Sequence, residues 1–144
     1  MNLKDIYNEV SRLNGINVYD LIEKLDLHVI ENPNFENRKL YSSILFDQKI
    51  IFIQPELEEE FKQFLLWHEI GHYLLHHSEG YSFNFYMSRF KSKTEMEANL
   101  FAFFAMMIGE TAENINILDA AIHKGIPEQI AIKVCDLSQS VLQL

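Results

Sequence analysis

A chain of 144 residues with 48% hydrophobic and 23% charged residues has the length and balance of one domain built around an apolar core. Its net charge of -9 opposes a phosphate backbone, because proteins hold nucleic acid mainly through Lys and Arg, so direct nucleic-acid binding is disfavoured. Cys135 is the only cysteine, which excludes an internal disulfide and a thiolate zinc site and leaves any metal to histidine and carboxylate.

In chain order, residues 2–13 carry Leu3, Ile6, Val10 and Leu13 at helical spacing, with Asn14-Gly15 as the stop. A second helix is expected at about 18–25. Three β-prone stretches follow, at 27–30, 40–46 and 49–53, the last two joined by Asp47-Gln48 as a hairpin turn. They predict a small, mainly antiparallel three-stranded sheet. Pro55 and the acidic run 56–60 open a long helix reaching His77, acidic side chains suiting the positive end of its dipole. Residues 78–92 mix Gly, Ser, aromatics and Arg89 without clear periodicity and read as a loop, a candidate substrate-facing flap. A helix is expected at 94–108, ended by Gly109, then two shorter ones at 112–123 and 127–138, with Pro127 in a first turn. The fold class is α+β: a mostly helical single domain over 1–144, with its core at about 40–108 and the C-terminal helices at about 112–138. The longest apolar runs fall well short of the roughly 20 residues that cross a bilayer, and the N-terminus lacks a basic-then-apolar leader. The expected location is the cytoplasm.

Chemistry concentrates in His68-Glu69-Ile70-Gly71-His72. Two histidines four apart on a helix project from one face within reach of a single ion, and the glutamate between them points beside it. Neutral imidazoles hold zinc and leave a position for water, whose proton an adjacent carboxylate can take and pass to a leaving amine; Glu69 stands in that place. In a chain of this composition the spacing arises by chance about 0.025 times. A third ligand downstream is therefore what raises the odds. The helix at 94–108 offers Glu95, on a face with Ala98, Asn99, Ala102 and Ala105, and Glu97, on a face with Leu100, Phe101 and Phe104. The small-residue face permits close helix approach, which favours Glu95 over Glu97, with Asn99 one turn on able to hydrogen-bond a ligand histidine from behind. His76 lies about 12 Å along the helix from His68, too far to share its ion, so His76 and His77 read as residues behind the site or at the helix end.

The His68–His76 run, together with Glu95-Met96-Glu97-Ala98-Asn99-Leu100-Phe101-Ala102, resembles the ImmA/IrrE family of metallopeptidases, as does Gly15-Ile16-Asn17-Val18 after the first helix. The resemblance covers most of the first 108 residues and implies a zincin-like fold, one Zn²⁺ held by His68, His72 and Glu95, and Glu69 as catalytic acid and base. It also implies a protein substrate: members of this kind often accompany phages or mobile elements and inactivate a helix-turn-helix repressor by cutting it, an anti-repressor role. Two departures concern subfamily and substrate, namely Trp67 in place of a small residue and Met106-Met107-Ile108-Gly109 without the usual proline.

The strand preceding the metal helix is expected to pair with an extended substrate. Tyr73, Tyr81, Tyr86, Arg89 and His123 are chemically able to stabilise an oxyanion. A rival reading is a zinc-containing regulator that docks on a transcription factor or toxin without cleavage. Another is a DNA-binding module formed by the helices around Gly125, which the charge opposes: Glu113, Asp119, Glu128 and Asp136 stand against Lys124 and Lys133.

Overall fold

The computed structural model describes residues 2–78, 80, 82–108 and 116–142, the side chains of residues 37, 38 and 140–142 excepted. Helix α1 (Leu3–Ser11) begins at an Asn2 capping box with Asp5 and buries Ile6 and Val10; Asn14 and Gly15, both at positive φ, turn the chain out of it. Helix α2 (Val18–Lys24) is capped by Asn17. Strands β1 (His28–Glu31), β2 (Leu40–Leu45) and β3 (Ile50–Ile53) follow, a short 3₁₀ turn at Pro33–Arg38 lying between the first two. Asp47 and Gln48 sit at the centre of the β2–β3 turn, which the Lys49 N–H closes onto the Phe46 carbonyl.

Two sequence expectations need correction. The sheet has four strands in the order β1-β3-β2-β4, not three, and it is mixed: β1 runs parallel to β3, while β2 is antiparallel to both β3 and β4. Its fourth member, β4 (Ser82–Tyr86), lies within the stretch expected to be a loop and follows the long helix instead of preceding it. Phe83 and Phe85, two apart and facing the same side, are the period-2 signal, which the surrounding Ser, Gly and Arg residues obscure. Because β3 is hydrogen-bonded on both sides, the strand before the long helix has no edge to offer a peptide.

Helix α3 (Glu59–His76) starts three residues later than Pro55-Glu56 suggests, since Glu56 sits at φ 60, outside the helical region. From Phe64 to His72 every residue of α3 is buried, the sheet covering one side and helix α4 (Lys93–Met107) the other. Helix α4 is capped by Ser92 and is itself central, packing against α1, α3, α5 and α6. Helices α5 (Ile117–His123) and α6 (Glu128–Leu142) close the fold; the expected stop at Gly109 and the expected helix start at 112 lie outside the described residues. Fully buried Phe64, Phe85, Phe101 and Phe103 anchor the core, each stabilising the fold by roughly 1.5–3 kcal/mol through area removed from water. Among the described residues no helix is long and apolar enough to cross a membrane.

The crossing of α3 and α4 sets the site. A Cβ on Gly71 would meet Phe101 Cβ at 3.1 Å and Ala98 Cα at 3.3 Å, so glycine on one helix and alanine on the other bring the backbones together. Trp67 fills the core beside this crossing, its ring 6.3 Å from that of Phe101.

Candidate metal centre

His68 and His72, one turn apart on α3, point their Nε2 atoms at the same carboxylate. Glu95 Oε1 lies 2.9 Å from His68 Nε2 and 3.1 Å from His72 Nε2, and Oε2 lies 3.0 Å from His72 Nε2. Two imidazole nitrogens this close to one carboxylate are near enough to share a single ion after a small outward adjustment. His68, Glu69 and His72, all buried, also offer ligand atoms within 4.8 Å of one another and can hold a metal ion.

The opposite nitrogen of each ring is held as well. His68 Nδ1 lies 2.8 Å from Asn99 Oδ1, while the Asn99 amide nitrogen donates to the Phe90 carbonyl at 3.5 Å, which identifies the oxygen as the end facing the histidine. Asn99 thus accepts the His68 Nδ1 proton, which would leave the Nε2 lone pair free for an ion shared with Glu95. His72 Nδ1 lies 2.9 Å from His76 Nδ1, and His76 Nε2 lies 2.8 Å from Glu97 Oε1. Glu97, the alternative third ligand on sequence grounds, is thus directed to His76, and Glu95 is the carboxylate that meets both Nε2 atoms.

Glu69 is fully buried. Ser42, on β2, donates its hydroxyl to Glu69 Oε2, a partner the sequence reading missed; its trace was a Ser42-Ser43 pair interrupting an otherwise apolar strand. Glu69 Oε1 is the one buried side-chain polar atom among the described residues without a hydrogen-bond partner. An orphaned acceptor beside two converging imidazoles fits a polarised water there. Burial pushes the Glu69 carboxyl up to about 8 and the His72 imidazole down to about 4, keeping that ring neutral as a ligand must be. Burial would raise Glu95 too, but hydrogen bonds from His68 and His72 outweigh it and hold its carboxyl down at about 2.

Strand β4 roofs the group. Phe83 stacks on His72 with centroids 4.1 Å apart and planes 6° from parallel, and Phe85 lies 4.4 Å from the His68 ring. Neither was singled out from the sequence. Of the oxyanion candidates, Tyr73 packs against Phe46 and lines a cavity of about 650 Å³ with Phe46, Asp47 and His77. Tyr86 and Arg89 stack on each other at 5.0 Å, Tyr81 lies outside the described residues, and His123 lines a separate cavity with Glu60 and Trp67. His77 donates from Nδ1 to the Tyr73 carbonyl at the end of α3, as a helix-end residue does.

Helix-borne histidines and carboxylates, crossed beneath a small mixed sheet, define a metallopeptidase-like protein. The chain belongs to the ImmA/IrrE family: the peptidase M78 family model, the IrrE N-terminal-like domain, matches residues 22–118. No curated protein matches the chain.

Proposed function

We propose that the protein is a zinc metallopeptidase in which His68, His72 and Glu95 hold one Zn²⁺ and Glu69 is the catalytic acid and base. The observation that carries this reading is the convergence of His68 Nε2 and His72 Nε2 on the Glu95 carboxylate at 2.9–3.1 Å, beside the unpaired Glu69 Oε1. When bound, Zn²⁺ supplies Lewis-acid polarisation of a scissile carbonyl and acidifies a water. Glu69 takes the water's proton at Oε1 and delivers it to the leaving amine, while the Ser42 hydroxyl fixes Oε2 so that the other oxygen faces the reaction. Glu69, raised to about 8 by burial, would ionise more readily beside a cation held by His68, His72 and Glu95. An extended peptide is recognised along the outer edge of β4, which has no strand beside it among the described residues.

The substrate we propose, on the family resemblance, is a helix-turn-helix repressor of a phage or mobile element, cut in the cytoplasm. Incubating zinc-loaded protein with a repressor encoded beside its gene tests this, with Glu69→Gln as control. Cleavage by the wild type and a loss of at least about a hundredfold in Glu69→Gln is expected. Intact substrate with both proteins, together with full biological effect of Glu69→Gln, would transfer the role to docking without cleavage.

A further inference from the structure

His72 is held differently from its fellow histidine. For His68 the acceptor behind the ring is the single amide oxygen of Asn99 at 2.8 Å. For His72 it is another histidine, and a carboxylate stands behind that: His72 Nδ1 to His76 Nδ1 at 2.9 Å, then His76 Nε2 to Glu97 Oε1 at 2.8 Å, with all three residues buried.

Two facing Nδ1 atoms at hydrogen-bond distance share a single proton, so one ring donates and the other accepts. A carboxylate only accepts, hence the His76 proton sits on Nε2 and points at Glu97. This leaves the His76 Nδ1 lone pair free to accept from His72, which therefore carries its proton on Nδ1 and, in the metal-loaded protein, would offer Nε2 as a lone pair to an ion shared with Glu95 and His68. Reversing any one member breaks the chain: a proton on His76 Nδ1 would force His72 to the opposite tautomer and put an N–H where a ligand lone pair is needed. Helix spacing explains how three helical turns share the task. His68, His72 and His76 stand four apart along α3, while Glu95, Glu97 and Asn99 reach them from α4 across the Gly71–Ala98 contact.

We infer that Glu97 is a positioning residue which, through His76, fixes the tautomer and orientation of His72 for metal binding. The inference rests on the metal-site reading above. Its test compares wild type, Glu97→Ala, Glu97→Gln and His76→Ala by chelator competition for Zn²⁺, by the visible spectrum of the Co²⁺-loaded forms, and by ¹⁵N NMR of the histidine rings. Thermal melts of the metal-free proteins verify folding. Glu97→Ala and His76→Ala are expected to weaken metal binding about 10–100-fold and to mix the His72 tautomers, whereas Glu97→Gln, whose amide oxygen still accepts from His76, recovers most of the affinity. Unchanged affinity in Glu97→Ala with His72 still protonated on Nδ1 would overturn the relay. So would equal losses in Glu97→Ala and Glu97→Gln with metal retained by Glu95→Ala, the pattern of a direct ligand. A wild type that binds no metal would instead sink the underlying metal-site reading, a result separate from either.

Discussion

At the scale of single residues, Glu69 is the most unusual group in the molecule. It is fully buried, satisfied at one oxygen by Ser42 and unsatisfied at the other. An ordinary glutamate loses its proton near 4.5 and this one near 8, so between those values the folded protein keeps a proton that the unfolded chain has released. Stability of the metal-free protein must therefore fall as pH rises across that window. His72 acts with the opposite sign, since its lowered value of about 4 makes stability fall as pH drops below 6.5. In Glu69→Gln, neutral at every pH, the first slope disappears while the second remains, a difference of roughly 3–5 kcal/mol between pH 5 and pH 8. Urea melts of both metal-free proteins at those two pH values measure it, and parallel slopes would refute it. That His68, Glu69 and His72 stand together was legible in the sequence because one helix fixes their spacing, and Glu95 meets both rings from α4, on the small-residue face that favoured it over Glu97. Ser42 and the direction of Glu97 were not legible, since both depend on which strand or helix lies alongside.

At the scale of elements, the roof and the crossing carry the consequences. Strand β4 presses Phe83 flat on His72 and Phe85 on His68, shielding the group from solvent. Phe83→Ala removes that cover, and release of bound metal to a chelator is expected to accelerate severalfold; stopped-flow with a chromogenic chelator follows it, and an unchanged rate would mean the roof does not control access. Gly125 answers a different need from the turn of a DNA-reading motif. Its φ of 107 and a Cβ position that runs into the Glu60 backbone fit α5 and α6 against the start of α3. Gly125→Ala should cost roughly 2–4 kcal/mol, read from denaturant midpoints, and a loss below about 0.5 kcal/mol would contradict the tight contact. Helix existence was readable from apolar periodicity and Asn, Ser and Gly punctuation. Strand β4 escaped because its signal is only Phe83 and Phe85, and the parallel pairing of β1 with β3 escaped because pairing partners are set by distant segments.

At the scale of the whole molecule, a small mixed sheet and two crossed helices bring seven side chains from α3 and α4, with Ser42 from β2, into one buried cluster. The family match over 22–118 agrees with a peptidase that acts on protein, and the convergence of His68 and His72 on Glu95 agrees with a metal site. Everything in that account depends on one ion bound by those three ligands. Metal analysis of the purified wild type, His72→Ala and Glu95→Ala is the most direct measurement. The account predicts close to one zinc per chain in the wild type and loss of it in both variants with the fold retained; a wild type without metal, or full zinc in Glu95→Ala, would contradict it.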